Sequence, residues 1–179
     1  MRRPYGWMLG LAAVIVIADQ TSKLWAVSAL ADGAHITVIP QLLHLRLLFN
    51  PGAAFSIGTE ATWLFTLATA AAVVGVLYVG RRLRSRAWTI GLAALLGGAA
   101  SHLLDRLFRE PGFAQGHVVD FIDYGGLFVG NLADIALTGS CALLMLLNLR
   151  GVPLGAAPAS DSESAPDLEK APDEEHPRS

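Results

Sequence analysis

Residues Ala61–Gly80, ATWLFTLATAAAVVGVLYVG, run for twenty positions without a charged side chain. A helix rises about 1.5 Å per residue, so this stretch reaches across the ~30 Å hydrocarbon core of a bilayer. Arginines follow at once at 81, 82, 84 and 86, and Ala87–Leu104 then supplies eighteen more residues without an acid, a lysine or an arginine. Two apolar runs joined by a short basic link predict a pair of antiparallel membrane helices, and the rest of the chain reads outward from them. Downstream, 125–149 is similarly apolar but contains Asn131 and Asp134. Upstream, Trp7–Ala31 is apolar at both ends and interrupted by Asp19-Gln20-Thr21-Ser22-Lys23. The expected fold is an integral membrane α-helical protein with four transmembrane helices, at about 7–31, 61–80, 87–107 and 125–149.

Composition agrees with that reading. Of 179 residues, 53% are hydrophobic and 16% charged, against about a quarter charged in soluble domains, and the mean hydropathy is +0.48. The totals conceal two regions. From Gly151 onward the chain is Pro, Ala, Ser and acid, with Asp161, Glu163, Asp167, Glu169, Asp173, Glu174 and Glu175 against Lys170 and Arg178. A membrane domain is therefore expected over 1–150 and a disordered acidic C-terminal tail over 151–179. The single Cys141 excludes an intrachain disulfide framework and any cysteine-built metal site. The same numbers argue against a nucleic-acid binder and against a soluble Rossmann or barrel enzyme.

The distribution of arginine orients the spans. Arg2 and Arg3 precede the first, 81–86 link the second and third, and Arg150 follows the fourth, whereas the other two connections hold only Arg46 and Arg109. The excess of basic residues in cytoplasmic loops then places both termini in the cytoplasm. The arginine link could bind anionic lipid, but as a juxtamembrane cluster it reads first as a topology determinant. Span one has a rival reading, because Arg2-Arg3, the apolar run and Val16-Ile17-Ala18 resemble a cleavable signal peptide. Against it, the apolar pattern resumes at Leu24–Ala31. The outer connection carries a period of two at Thr37-Val38-Ile39 and again at Leu43-His44-Leu45-Arg46-Leu47, with Pro40-Gln41 between. That predicts a small extracytoplasmic antiparallel β-sheet within 34–58, after which Asn50-Pro51-Gly52 turns the chain back.

Charges near the middle of a bilayer are costly and by default mark a functional site. With this topology Asp19 and Lys23, Asp105 and Arg106, and Asp134 all lie in the outer halves of their spans, and Asp120 and Asp123 lie in the outer loop before span four. The common depth predicts one polar site that opens outward. Asp19 and Lys23, four apart on one helix face, read mainly as a self-neutralising pair, and Asp105-Arg106 as a helix end with a guanidinium free to hold a carbonyl. Asp123 reads as an acid of the surface loop. Asp120 and Asp134 have no adjacent base. Two carboxylates in one partly desolvated site share a proton, which is the condition for aspartic proteolysis; the alternative is two unrelated acids, one wet and one bonded to Asn131. His35, His44, His102 and His117 are scattered without HExxH, and His102 three residues before Asp105 is a weak metal signal. No metal and no cofactor are expected.

Five motifs taken together resemble one family. They are Asp19-Gln20-Thr21-Ser22-Lys23, Asn50-Pro51-Gly52-Ala53-Ala54-Phe55-Ser56, Asp105-Arg106, Val118-Val119-Asp120-Phe121-Ile122 and Asn131-Leu132-Ala133-Asp134. In that order on four spans they resemble lipoprotein signal peptidase, signal peptidase II, over about residues 7–150. The resemblance implies a bacterial membrane aspartic endopeptidase, multi-pass in the cytoplasmic membrane, with its active site at the extracytoplasmic face. Its substrates would be prolipoproteins bearing a diacylglyceryl cysteine, cut before that cysteine. It implies that Asp120 and Asp134 form the catalytic dyad and that Asn50, Arg106 and Asn131 line the site. Gly52, Ala53, Ala133, Asp105, Asp19 and Lys23 are its supporting positions. A monomer in contact with membrane lipids, binding no nucleic acid, is the expected state.

The chain departs from the family pattern twice, with Ser101-His102 where Gly-Asn is common and Gly130 where Phe is common before Asn131. His102 can still donate or accept a hydrogen bond and the dyad is intact, so a tuned site is expected. Two other functions fit some of these residues: a small proton- or ion-coupled transporter using Asp19, Lys23 and Asp134, or a non-catalytic assembly factor. The first conflicts with inner span halves that hold no acid or lysine.

Overall fold

A computed structural model describes residues 3–52 and 62–155. Four helices, α1 (Arg3–Ala29), α2 (Thr62–Gly80), α3 (Arg86–Phe108) and α4 (Leu132–Leu149), are each long and apolar enough to cross a membrane. Strands β1 (His35–Ile39), β2 (Leu43–Asn50), β3 (Val118–Asp123) and β4 (Val129–Gly130) form one antiparallel sheet in the order β1-β2-β3-β4. The helices run up and down, with the sheet at one end and the arginine link at the other.

α3 is the hub, packing on α1, α2 and α4. It can do so because its contact faces lack side chains where the neighbours come closest. A Cβ on Gly97 would meet Ile15 Cβ at 2.8 Å and the Ala12 carbonyl at 3.0 Å, and one on Gly98 would meet the Ala133 carbonyl at 2.9 Å. Such close backbone approach is how helices associate when lipid removes the hydrophobic drive between them. The outward faces carry the large apolar side chains instead: Trp7, Val14, Trp63, Leu67, Ile90 and Met145 are all more than half exposed. That arrangement suits hydrocarbon as the surrounding solvent.

The sheet differs from the sequence expectation in one respect. Strands fall within 34–58 as read, but β3 and β4 also belong to the sheet, and they come from the segment read as a loop and the start of span four. Their signal is present in Val118-Val119 and Phe121-Ile122, where apolar residues fill both faces instead of alternating, as in a strand covered on both sides. On one side Phe121 packs with Ala26 of α1 and Leu30 just after it and meets Trp25 edge-on at 6.4 Å; Asp120 points to the other. Span four accordingly starts at Leu132 and not at 125. Asn131 and Asp134 form a reciprocal capping box there, a start signal visible as Asn-x-x-Asp. α1 runs unbroken through Ala18, the cleavage point of the signal-peptide reading.

At the opposite end α4 stops in a Schellman turn. Gly151 adopts φ +64°, its N–H bonds Asn148 O at 3.0 Å, and Val152 N–H bonds Leu147 O at 3.0 Å. The next residues then strap the arginine link. Leu154 O accepts from Arg84 N at 3.0 Å and Ser85 N at 3.4 Å, Trp88 Nε1 donates to Val152 O at 2.8 Å, and Leu154 packs on the cluster of Met8, Leu83 and Leu92. Residues 156–179, where most of the acidic tail falls, lie outside the described residues. Truncation after Arg150 should therefore lower stability by about 1–3 kcal/mol through these lost bonds and contacts, while truncation after Gly155 should not; thermal unfolding in detergent distinguishes the two.

Candidate active site

The charges of α1 and α3 interlock beneath the sheet. Lys23 Nζ lies 2.6 Å from both Asp19 Oδ2 and Asp105 Oδ2, and all three side chains are fully buried. Ser101 Oγ donates to Asp19 Oδ2 at 2.6 Å. Gln20 Nε2 donates to Ser101 Oγ and to Asp105 Oδ1, each at 2.9 Å, and Arg109 Nε adds a bond to Asp105 Oδ1 at 2.7 Å. The sequence pair Asp19–Lys23 is thus half of a larger arrangement, and Asp105 is an interior residue of it and not a helix-end anchor. Among the described residues no buried side-chain polar atom lacks a partner. Its outward connection is the remaining oxygen of Asp19, which accepts the Ala133 backbone N–H at 2.8 Å and so fastens the first turn of α4 to α1.

That first turn carries Asp134. Asp134 Oδ2 accepts Asn131 N–H at 2.9 Å, and Asn131 Oδ1 accepts Asp134 N–H at 3.0 Å. The same Asn131 reaches β3 with its amide, donating to Asp120 Oδ1 at 2.6 Å, while Asn50 Nδ2 at the end of β2 donates to Asp120 Oδ2 at 3.0 Å. One asparagine therefore touches both carboxylates. His102 of α3 completes the group, with Nε2 3.1 Å from Asp134 Oδ1. The sequence marks His102 as a weak metal signal toward Asp105 and as a hydrogen-bonding departure from the family's Gly-Asn, without naming its partner; in the structure its ring is directed to α4. The signal was its helical position one residue past Ser101, which turns it toward a different neighbour.

The two acids occupy unlike surroundings. Asp120 is 2% exposed, and burial, reinforced by the nearby Asp134 charge against the opposing amide bonds from Asn50 and Asn131, pushes its carboxyl up to about 6. The Asp134 side chain is 40% exposed. Both face a cavity of about 680 Å³ that opens beside the sheet and continues between α2, α3 and α4 past Ala68, Ala72 and Ala99. Arg106 forms part of its wall. It donates to Gly52 O at 2.7 Å and Pro51 O at 3.3 Å and stacks over Phe65 at 5.4 Å, so it pins the turn that ends β2. Gly52 N–H in turn bonds Asn50 Oδ1 at 3.1 Å. Ala53 lies outside the described residues. Ala133 contributes its backbone and is fully buried, and a Cβ at Gly130 would stand 3.0 Å from Asp134 Oδ2, so the missing side chain keeps that approach open.

Asp123 is not the loop acid expected. It lies in β3, 6% exposed, accepting from Arg46 Nε at 2.5 Å and Gly126 N–H at 2.7 Å, and the Arg46 guanidinium holds its carboxyl below the usual range.

Two unlike carboxylates held by different N–H groups of one asparagine, facing one cavity in a bundle of membrane-length helices, are an arrangement suited to a membrane aspartic protease. Comparison with known proteins narrows this. The family model of signal peptidase (SPase) II matches residues 11–150. A lipoprotein signal peptidase of Leifsonia xyli is 43% identical over 169 residues, covering 87% of this chain and 78% of that protein. Another from Rhodococcus jostii is 44% identical over 142 residues, covering 79% and 72%. A solved structure of a bacterial membrane enzyme superposes with a TM-score of 0.71 at 27% identity, covering 81% of this chain and 88% of that one. The chain belongs to the signal peptidase II family, the lipoprotein signal peptidases. It is accordingly an enzyme, and neither transport nor a non-catalytic assembly role is needed to account for its buried charges.

Breaking the charge arrangement should be far more damaging than breaking a surface pair. Lys23→Met leaves two buried carboxylates facing each other without their shared cation, a loss of about 3–5 kcal/mol. The expected outcome is a large drop in the unfolding midpoint or in the amount of inserted protein.

Proposed function

We propose that the chain removes signal peptides from prolipoproteins carrying a diacylglyceryl cysteine, and that Asp120 and Asp134 are the two acids of the reaction. The observation that carries this reading is Asn131, whose side-chain amide holds Asp120 and whose backbone N–H holds Asp134. Asp120, buried and raised to about 6, is the member that keeps a proton; Asp134, more exposed and surrounded by N–H donors, is the ionised one. Asp134 takes a proton from water as the water oxygen attacks the scissile carbonyl, and Asp120 passes its proton to the carbonyl oxygen. Collapse of the tetrahedral diol breaks the C–N bond. Asp134 then gives its proton to the leaving amine, and the diol hydroxyl returns one to Asp120.

The supporting residues serve that geometry. Asn50 and Asn131 fix the plane of the Asp120 carboxyl, Arg106 and Gly52 shape the turn against which the substrate backbone lies, and Asp19, Lys23, Asp105 and Ala133 hold α4 in place. The wide cavity between α2, α3 and α4 suits an apolar segment that stays in lipid while its end reaches the dyad. In this reading the protein is a monomer in the bacterial cytoplasmic membrane, with the sheet and dyad on the extracytoplasmic side, both termini in the cytoplasm and no metal or cofactor in the reaction. The arginine link at the end of the bundle away from the sheet supports that orientation.

Asp120→Asn and Asp134→Asn should each abolish cleavage of a diacylglyceryl-modified prolipoprotein peptide without loss of inserted protein. Full activity in either would exclude the dyad. Because Asp120 must be protonated to act as acid, kcat/KM of the free enzyme should fall as pH rises through about 6, roughly tenfold per unit at the limit. Substrate that excludes water raises a buried acid further, so the alkaline limb of kcat should lie at higher pH than that of kcat/KM. Coincident limbs would argue against Asp120 as the buried proton donor.

A further inference from the structure

We infer that His102 is a positioning residue of this active site, holding the Asp134 carboxylate through a hydrogen bond donated from its imidazole Nε2 to Oδ1. The inference rests on the proposed dyad and adds a third side chain to it. Its ground is geometric. Nε2 is 3.1 Å from Asp134 Oδ1, the His102 side chain is 14% exposed, and His102 lines the same cavity as both acids. Asp134 at neutral pH is an acceptor only, so the imidazole nitrogen facing it must be the donor.

The bond matters because of what else holds Asp134. Its other oxygen is fixed by Asn131 N–H, but that bond belongs to the helix cap and leaves the carboxyl free to turn about it. A second donor on Oδ1, from a different helix, removes that freedom and sets the plane in which the base meets water. Asp120 is fixed in the same way by two donors from separate elements, Asn50 and Asn131. Each acid is thus held by two donors, of which Asn131 is common to both and Asn50 and His102 are separate. Ser101 and His102 divide the support of α4 between them: Ser101 acts through Asp19 on the Ala133 backbone, His102 directly on the carboxylate. A hydrogen-bond donor of the right reach is what the position requires, and the ring itself is secondary.

The test is a comparison of His102→Leu with His102→Gln on a diacylglyceryl-modified prolipoprotein peptide. Leucine fills the space without a donor, and glutamine places an amide N–H about as far from the backbone as imidazole Nε2. His102→Leu should lower kcat by about 10- to 100-fold, the usual effect of removing a group that orients a reacting one, with KM changed less than about threefold. His102→Gln should recover most of the loss. His102→Ala gives the same comparison if the leucine variant inserts poorly. Wild-type kcat in the leucine or alanine variant, a glutamine variant as slow as leucine, or a loss confined to KM would each overturn the inference. Activity in Asp120→Asn and Asp134→Asn would instead remove the dyad on which it rests, whereas inactive dyad variants beside a fully active His102→Leu would refute His102 alone.

Discussion

The structure depends on one cation that cannot leave. Lys23 is fully buried in a bundle whose outer surface is apolar, and it touches a carboxylate of its own helix and one of α3 at 2.6 Å each. In such a medium an unpaired ammonium or carboxylate costs several kcal/mol, so the three groups are stable only together. Helix–helix packing by small residues would by itself allow α1 to slide or turn against α3. The ion pair does not, because any displacement large enough to separate Nζ from Asp105 strands charge in a low-dielectric interior.

From that fixed point the geometry passes outward in short steps. Asp19 has one oxygen on Lys23 and Ser101 and the other on Ala133 N–H, which ties the start of α4 to α1. Asn131 caps α4 and extends its amide to Asp120, which ties the same start to β3. Asp134 is at once a capping residue and the proposed base, so the cap that starts α4 also holds its carboxyl. Each acid is held by rigid elements. The sheet supplies Asn50 and Asp120, and the bundle supplies His102, Asn131 and Asp134.

The split environment is what allows two identical side chains to take the opposite roles proposed for them. Asp120 faces into the cavity from a strand covered on both sides, where burial disfavours its charge; Asp134 sits at a helix N-terminus where water can reach it. The cavity below them is narrow in side chains and wide in space, with alanines on α2 and α3. Such a cavity suits the apolar substrate segment proposed above, which would stay in lipid while its end reaches the two acids. The strap of residues 152–154 ties the arginine link and α3 together at the end of the bundle away from the sheet.

Much of this was legible in the chain itself, and the division has a physical cause. Apolar runs of membrane length are set by composition, so four helices followed from Ala61–Gly80 and its counterparts; period-two alternation likewise announced β1 and β2. Charged residues inside apolar helices marked the polar site, because few other reasons exist to place Asp19, Lys23 or Asp134 there. β3 and β4 stayed hidden because a strand covered on both faces loses its alternation, and what covers it is distant in sequence. The contact of Lys23 with Asp105, the pairing of Asp123 with Arg46, and the orientation of His102 toward Asp134 rather than Asp105 were likewise beyond reach. Each joins residues tens of positions apart, and side-chain direction between helices is decided by which faces pack. Residue type and spacing determined which groups must be paired; only the tertiary structure, by fixing distance and facing, decided with whom.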